Sequence, residues 1–156
     1  MYFEDCLVGD RVIGPARTIT ETDLVQFAGL TGDWNPLHTD AEYARGTEFG
    51  DRIAHGMLVL AVASGLLYRA GASAALPQET IAFAGVDRVR FVAPVRIGDT
   101  VHVETEVKEV REIDGERGVI TASHRVVNER GATVLTFSGK ILARRRPPGT
   151  DGPAHG

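Results

Sequence analysis

A run near the middle of the chain, MLVLAVASGLL from Met57 to Leu67, is apolar on nearly every side. Its single polar side chain is that of Ser64, and Gly65 is its one weak helix former. The run is too short to cross a bilayer, because a spanning helix needs about 20 apolar residues. A helix that is apolar all round must be buried all round, so we expect the rest of a small domain to wrap around it.

The second half of the chain contains strands that can wrap around this helix. Residues 101–107 alternate between apolar and polar side chains, the period of a half-buried strand. Three more strands are predicted, over residues 81–95, 119–128 and 133–143. Turns rich in Gly and Asp separate the strands at 97–99, 114–115 and 130–131. The sequence therefore predicts an α+β fold in which a curved antiparallel β-sheet wraps around one long central helix.

The first third of the chain is predicted to contain an edge strand and a short helix. Residues 11–20 form an irregular strand that a glycine and a proline interrupt, which suits a sheet edge. Thr20 has the character of a helix N-cap, and apolar residues at helical spacing predict a helix over 21–30. The segment 33–50 that follows is long for a connection, and we interpret it as a functional site.

Length and composition limit the possible functions. With 156 residues the chain is about one domain long, which we divide into a folded unit at 1–143 and a disordered tail at 144–156. The net charge of −4 gives no general attraction to nucleic acid, and no segment predicts membrane insertion. Cys6 is the sole cysteine, so an internal disulfide is excluded, and the first residues do not form an apolar signal segment. We therefore expect a cytoplasmic protein.

The densest group of reactive residues is the stretch GDWNPLH, which includes Asp33 and His38. Pro36 is expected to stop this loop from continuing as a helix, so that the carboxyl and imidazole groups can converge on one small volume. Gly, Asp, Asn and Pro are also the residues of ordinary turns. By spacing alone, a catalytic pair and a plain turn both remain open.

Two further residues lie on the apolar helix. Gly56 precedes the apolar run, where the first amides of a helix lack intrahelical acceptors and carry partial positive charge. Such an amide suits a developing oxyanion, although a glycine that merely starts the helix is an equal alternative. Ser64 lies about two turns further along. Its hydroxyl either faces a site or bonds back to a carbonyl one turn earlier.

Taken together, GDWNPLH, AHGMLVLAVASGLL and RFVAPVRIGD resemble the (R)-specific enoyl-CoA hydratase, or MaoC-like dehydratase, family of the hot-dog fold. The resemblance implies that Asp33 and His38 form the catalytic dyad and that the Gly56 amide binds the oxyanion. It also implies supporting roles for Asn35 and Ser64. The implied reaction is the reversible addition of water across the 2,3 double bond of a trans-2-enoyl-CoA thioester.

The resemblance also implies an acyl-CoA substrate and a homodimer or higher homo-oligomer, which agrees with the open sheet edge of a single unit. We expect no cofactor and no metal, because the five histidines do not fall into a compact ligand spacing. His55 and His124 are expected to pack rather than to react.

Two rival functions stay open. One is a hot-dog thioesterase, which would use the same helix end and a carboxylate to hydrolyse acyl-CoA. The other is a non-catalytic acyl-CoA binding subunit. The NPLH run after Asp33 favours the hydratase over the thioesterase, and the presence of Asp33, His38 and Gly56 together favours an enzyme over a binding subunit.

Overall fold

A computed structural model describes residues 1–70 and 76–150 and shows one sheet, four α-helices and a short 3-10 turn at Phe3–Asp5. The helices are α1 (Glu21–Thr31), α2 (Pro36–Thr39), α3 (Ala41–Arg45) and α4 (Gly56–Arg69). The strands are β1 (Arg11–Ile13), β2 (Arg17–Thr18), β3 (Thr80–Phe91), β4 (Thr100–Glu112), β5 (Arg117–Asn128) and β6 (Thr133–Arg144). All pairs are antiparallel in the order β1-β4-β5-β6-β3, with β2 also paired to β4. The predicted α+β architecture is confirmed.

Helix α4 packs against the sheet on one face only. The residues on that face are buried: Leu58, Val59, Val62, Ala63 and Leu66. They pack in one core cluster with inward residues of β4 and β5. On the other face Met57 is 58% exposed and Tyr68 is 87% exposed. The expectation of burial on every side is therefore wrong for a single chain, because its sheet covers one side of the helix. Among the described residues, no helix is both long and apolar enough to cross a membrane.

The strands agree with the predicted pattern except at the C-terminal end of β3. In β4 the alternation is confirmed, since Val101, Val103 and Val107 are buried between less buried neighbours. Strand β3 ends at Phe91, four residues before the predicted limit of residue 95. It ends there because the next two amides both donate to the carbonyl of Val134 and so leave the regular ladder.

The chain before the site follows the prediction closely. Strands β1 and β2 lie at the sheet edge against β4. Thr20 caps α1, and its hydroxyl accepts a hydrogen bond from the Asp23 N–H while the Asp23 carboxylate accepts from the Thr20 N–H. This capping box fixes where α1 begins. Gly32, with φ 76°, ends it in the left-handed conformation that favours glycine.

The C-terminal residues differ from the sequence expectation. The sequence assigns 144–156 to a disordered tail, whereas Arg144 ends β6 and the next two arginines make ion pairs. Arg145 pairs with Glu4 at 2.9 Å and also with a glutamate of β4, and Arg146 pairs with Asp5. Short-range sequence patterns cannot show such pairs, because their partners are at the other end of the chain. Residues 151–156 of the predicted tail lie outside the described residues.

Candidate active site

The segment that follows α1 is shaped by local hydrogen bonds. The Asp33 N–H donates to the Thr31 hydroxyl at 3.2 Å, and the Asn35 N–H donates to the Asp33 carboxylate at 3.3 Å. Pro36 then begins the one-turn helix α2. The expectation that Pro36 would keep this loop from forming a helix is wrong, because the first turn has no use for the N–H that proline lacks.

Asn35 lies at the start of α2 and His38 near its end. The Asn35 side-chain oxygen accepts a hydrogen bond from the Leu37 N–H at 3.0 Å, which makes Asn35 the N-cap. The Thr39 hydroxyl donates back to the carbonyls of Trp34 and Asn35. Asn35 thus holds the backbone turn from which the His38 side chain projects.

The orientation of the His38 ring is set by one backbone contact. Its Nδ1 lies 2.7 Å from the carbonyl oxygen of Ile53, just before α4. A carbonyl can only accept, so Nδ1 carries the proton, and in the neutral ring Nε2 presents a free lone pair. His38 is therefore held in the tautomer that can accept a proton through Nε2.

Asp33, His38 and His55 form one cluster, in which one side-chain atom of each lies within 4.8 Å of the others. His55 is 2% exposed, and its Nε2 lies 3.0 Å from the carbonyl oxygen of Asp33. The His38 and His55 rings stack with centroids 3.9 Å apart. The fold thus brings together the predicted dyad and adds His55. The sequence signal for His55 was its place directly before Gly56.

One carboxylate and two imidazoles are also a common set of zinc ligands. One nitrogen of each ring already contacts a backbone carbonyl. This leaves Nε2 of His38 and Nδ1 of His55, which with the Asp33 carboxylate are the atoms that could hold a metal ion.

Gly56 lies at the N-terminus of α4, beside an open cavity of about 430 Å³ that Asp33 and His38 also line. As the first residue of the helix, Gly56 has an N–H without an intrahelical acceptor. A Cβ at this position would lie 2.8 Å from the Phe91 ring, closer than real contacts allow. Only glycine therefore fits between the ring and the helix end. The remaining lining is mainly apolar, which suits a hydrocarbon chain.

Ser64, which is also a predicted site residue, does not lie beside the dyad. It is exposed on the open face of α4 and lines a second cavity of about 560 Å³, together with Tyr68 and residues of β3 such as Phe83. It does not line the cavity of the dyad. Within one chain, the structure brings Asp33, His38 and the Gly56 amide to a common space and leaves Ser64 outside it.

Comparison with known proteins adds independent information. A family model described as "MaoC like domain" matches residues 7–129. The chain is 38% identical over 137 residues to the (R)-specific enoyl-CoA hydratase of Rhodospirillum rubrum, covering 86% of this chain and 90% of that protein. It is 39% identical over 107 residues to Protein MaoC of Klebsiella aerogenes, covering 69% of this chain. That match spans only 30% of the longer Klebsiella protein.

A solved structure agrees with these matches. The MaoC-like dehydratase from Rhodospirillum rubrum superposes with a TM-score of 0.82 at 31% identity, covering 94% of this chain and 99% of that one. The region that the family model matches includes α1 to α4 and strands β1 to β5. The similarity therefore covers all the candidate site residues.

Proposed function

Because the chain belongs to the MaoC-like dehydratase family and has the hot-dog fold, we propose that it is an (R)-specific enoyl-CoA hydratase, equally a 3-hydroxyacyl-CoA dehydratase. As a hydro-lyase of this kind it adds water to a trans-2-enoyl thioester, with hydroxyl bonding to C3 and a proton to C2. The observation that carries the proposal is the convergence of Asp33, His38 and the Gly56 amide on one apolar cavity.

The Gly56 amide stabilises the charge that develops in the reaction. As water attacks C3, electrons move through C2 onto the thioester oxygen. The N–H at the start of α4 donates to that oxygen, and the partial positive charge of the helix end adds to the effect. Loss of one such donor typically costs about 3 kcal/mol, or about 10²–10³ in rate.

Asp33 and His38 act on the water and on C2. The water lies between the Asp33 carboxylate and the free Nε2 of His38. One of the two groups takes a proton from the water as the hydroxyl bonds to C3, and this proton is then passed to C2, directly or by way of the other group, so that both groups end as they began. The Ile53 carbonyl and the Asn35 cap keep the His38 ring in place during this exchange.

The test is hydration of crotonyl-CoA by the purified protein, followed by loss of the enoyl absorbance and by the chirality of the product. Asp33→Asn and His38→Ala should each lower kcat by about 10²–10⁴-fold, the usual contribution of acid–base catalysis. His102→Gln, on the sheet away from the cavity, should leave kcat unchanged. No turnover at any chain length, or full activity in both dyad variants, would contradict the proposal. Release of free CoA would identify a thioesterase instead.

We also propose that the enzyme is a homodimer joined along β3. This strand is an edge of the sheet, so one row of its backbone groups faces no other strand among the described residues. Its exposed apolar side chains include Ile81, Phe83 and Val86, and the open face of α4 lies nearby with Tyr68. A second copy would cover both apolar surfaces at once.

We propose further that the enzyme uses no cofactor and is located in the cytoplasm. The reaction as written needs no metal and no cofactor beyond the CoA thioester itself.

A cytoplasmic location is supported by Cys6, which is buried as a free thiol. Burial raises its pKa to about 12, with the nearby carboxylates of Asp10 and Asp5 adding to the shift, so the thiol stays protonated and unreactive.

A further inference from the structure

His55 links the two halves of the candidate active site, and the proposed mechanism gives it no task. We propose that His55 is a positioning residue that sets the distance between the Asp33–His38 dyad and the oxyanion amide of Gly56. This inference rests on the proposed function for its catalytic meaning, but it is carried by contacts that exist without substrate.

The first contact joins His55 to the loop that carries Asp33. Its Nε2 lies 3.0 Å from the Asp33 carbonyl oxygen, and because that oxygen only accepts, Nε2 carries the proton. His55 is also the residue directly before Gly56 and forms the N-cap position of α4. One side chain therefore connects the backbone of Asp33 to the helix end whose amide is proposed to bind the oxyanion.

The second contact is with His38. The His55 ring stacks on the His38 ring with centroids 3.9 Å apart, and it also packs against Phe27 at 5.0 Å. The His38 ring is thus supported on one face by His55 while its Nδ1 is held by the Ile53 carbonyl. Together these contacts leave the His38 ring little freedom to turn away from the cavity.

The two nitrogens of His55 have different surroundings. Nδ1 is buried and has no hydrogen-bond partner among the described residues. A proton on Nδ1 would be a buried donor without an acceptor, which is unfavourable. The tautomer with the proton on Nε2 is therefore favoured, and it is the one that keeps the bond to the Asp33 carbonyl.

Two substitutions at His55 distinguish the effect of its hydrogen bond from the effect of its ring. His55→Gln places an amide N–H near the former Nε2, whereas His55→Asn places it near the former Nδ1, and both remove the stacked ring. Since small misplacements of reacting groups cost about 10² in rate, His55→Asn should lower kcat by about that factor with little change in KM. His55→Gln should retain at least about tenfold more activity than His55→Asn, as expected if the donor sets the geometry. Equal kcat in the two variants, or a change in KM alone, would overturn the inference.

Amide hydrogen exchange tests the same link without turnover. In the substrate-free enzyme, residues 32–38 should exchange faster in His55→Asn than in His55→Gln, by more than the difference in urea midpoint between the two variants explains. If the wild type fails to hydrate any enoyl-CoA, the proposed function is wrong, yet the exchange comparison still decides the role of His55. Identical exchange in both variants would show that His55 does not hold the loop.

Discussion

His124, the second buried histidine, lies inside the sheet and away from the cavity. Its Nδ1 is 3.0 Å from the Thr105 hydroxyl, and its ring stacks on Phe137 with centroids 4.6 Å apart. Burial lowers the pKa of His124 from the ordinary value of 6.5 to about 4. The residue is therefore neutral in the folded protein at neutral pH, in agreement with the packing role expected from the sequence.

This lowered pKa makes stability depend on pH. The unfolded chain binds a proton at His124 below pH 6.5, while the folded chain does not bind one until about pH 4. Acid therefore favours unfolding, and the stability that neutral His124 provides is lost as the pH falls through this window. Between about pH 7.5 and about pH 5 the free energy of unfolding should drop by about 2 kcal/mol from this group.

Urea unfolding at the two pH values measures the effect. His124→Gln, which keeps a polar partner for Thr105 but cannot titrate, should show a smaller drop than the wild type. The same drop in both proteins would assign the acid sensitivity to other groups.

Part of the site could be predicted from the sequence. The residues that were predictable lie close to one another along the chain, or beside a strong local pattern. Asp33 and His38 share one short motif, and Gly56 directly precedes an apolar helix, so local patterns and the family resemblance found them. The sequence predicts only a packing role for His55, because its hydrogen-bond partner is 22 residues away. The family resemblance places Ser64 with the dyad, whereas the fold puts it on the open face of α4.

At the scale of elements, the N-terminal turn Phe3–Asp5 packs on β5. Phe3 is buried, and its ring lies directly over Gly118 at the start of that strand. A Cβ at Gly118 would lie 2.2 Å from a carbon of the ring, so the two groups could not both keep their positions. The glycine is required here by a close approach rather than by an unusual φ.

Gly118→Ala should therefore destabilise the protein. Displacing a buried aromatic ring by overpacking typically costs about 1–3 kcal/mol, and the free energy of unfolding in urea should fall by this amount. Gly115→Ala is the matched control, because a Cβ there would meet no atom within 4 Å. Equal stability of the two variants would mean that Phe3 moves aside without cost.

The long elements were predictable because their periodicity extends over many residues. The α1 cap and the alternation in β4 are local signals, and both are confirmed. Helix α2 was missed because a single turn contains too few residues to show a period of 3.6. The apolar character of α4 indicated burial, but a sequence does not say whether its own chain or a second one covers each face.

At the scale of the whole molecule, the two edges of the sheet differ. The outer edge formed by β3 carries several exposed apolar side chains over a long strand, whereas β1 at the other edge has three residues. A long edge strand is a template for pairing with another strand, and a charge added among its apolar side chains opposes such pairing. The difference favours β3 as the edge of the proposed dimer.

Val86→Lys, in the middle of β3, should convert the wild-type dimer into a monomer in sedimentation equilibrium. Ile13→Lys on β1 is the matched control and should remain a dimer, since it adds the same charge to the opposite edge. Both variants should keep the circular dichroism of the wild type. A dimeric Val86→Lys variant, or a monomeric wild type, would contradict assembly along β3.

The ion pairs of Arg145 and Arg146 connect the residues after β6 to the first residues of the chain. Their partners, Glu4 and Asp5, hold the two ends of the described fold side by side. A short linker could therefore join these ends without disturbing any strand. A circularly permuted chain that is opened at the exposed turn after β4 would keep every strand pair and place its new termini far along the sequence from the dyad.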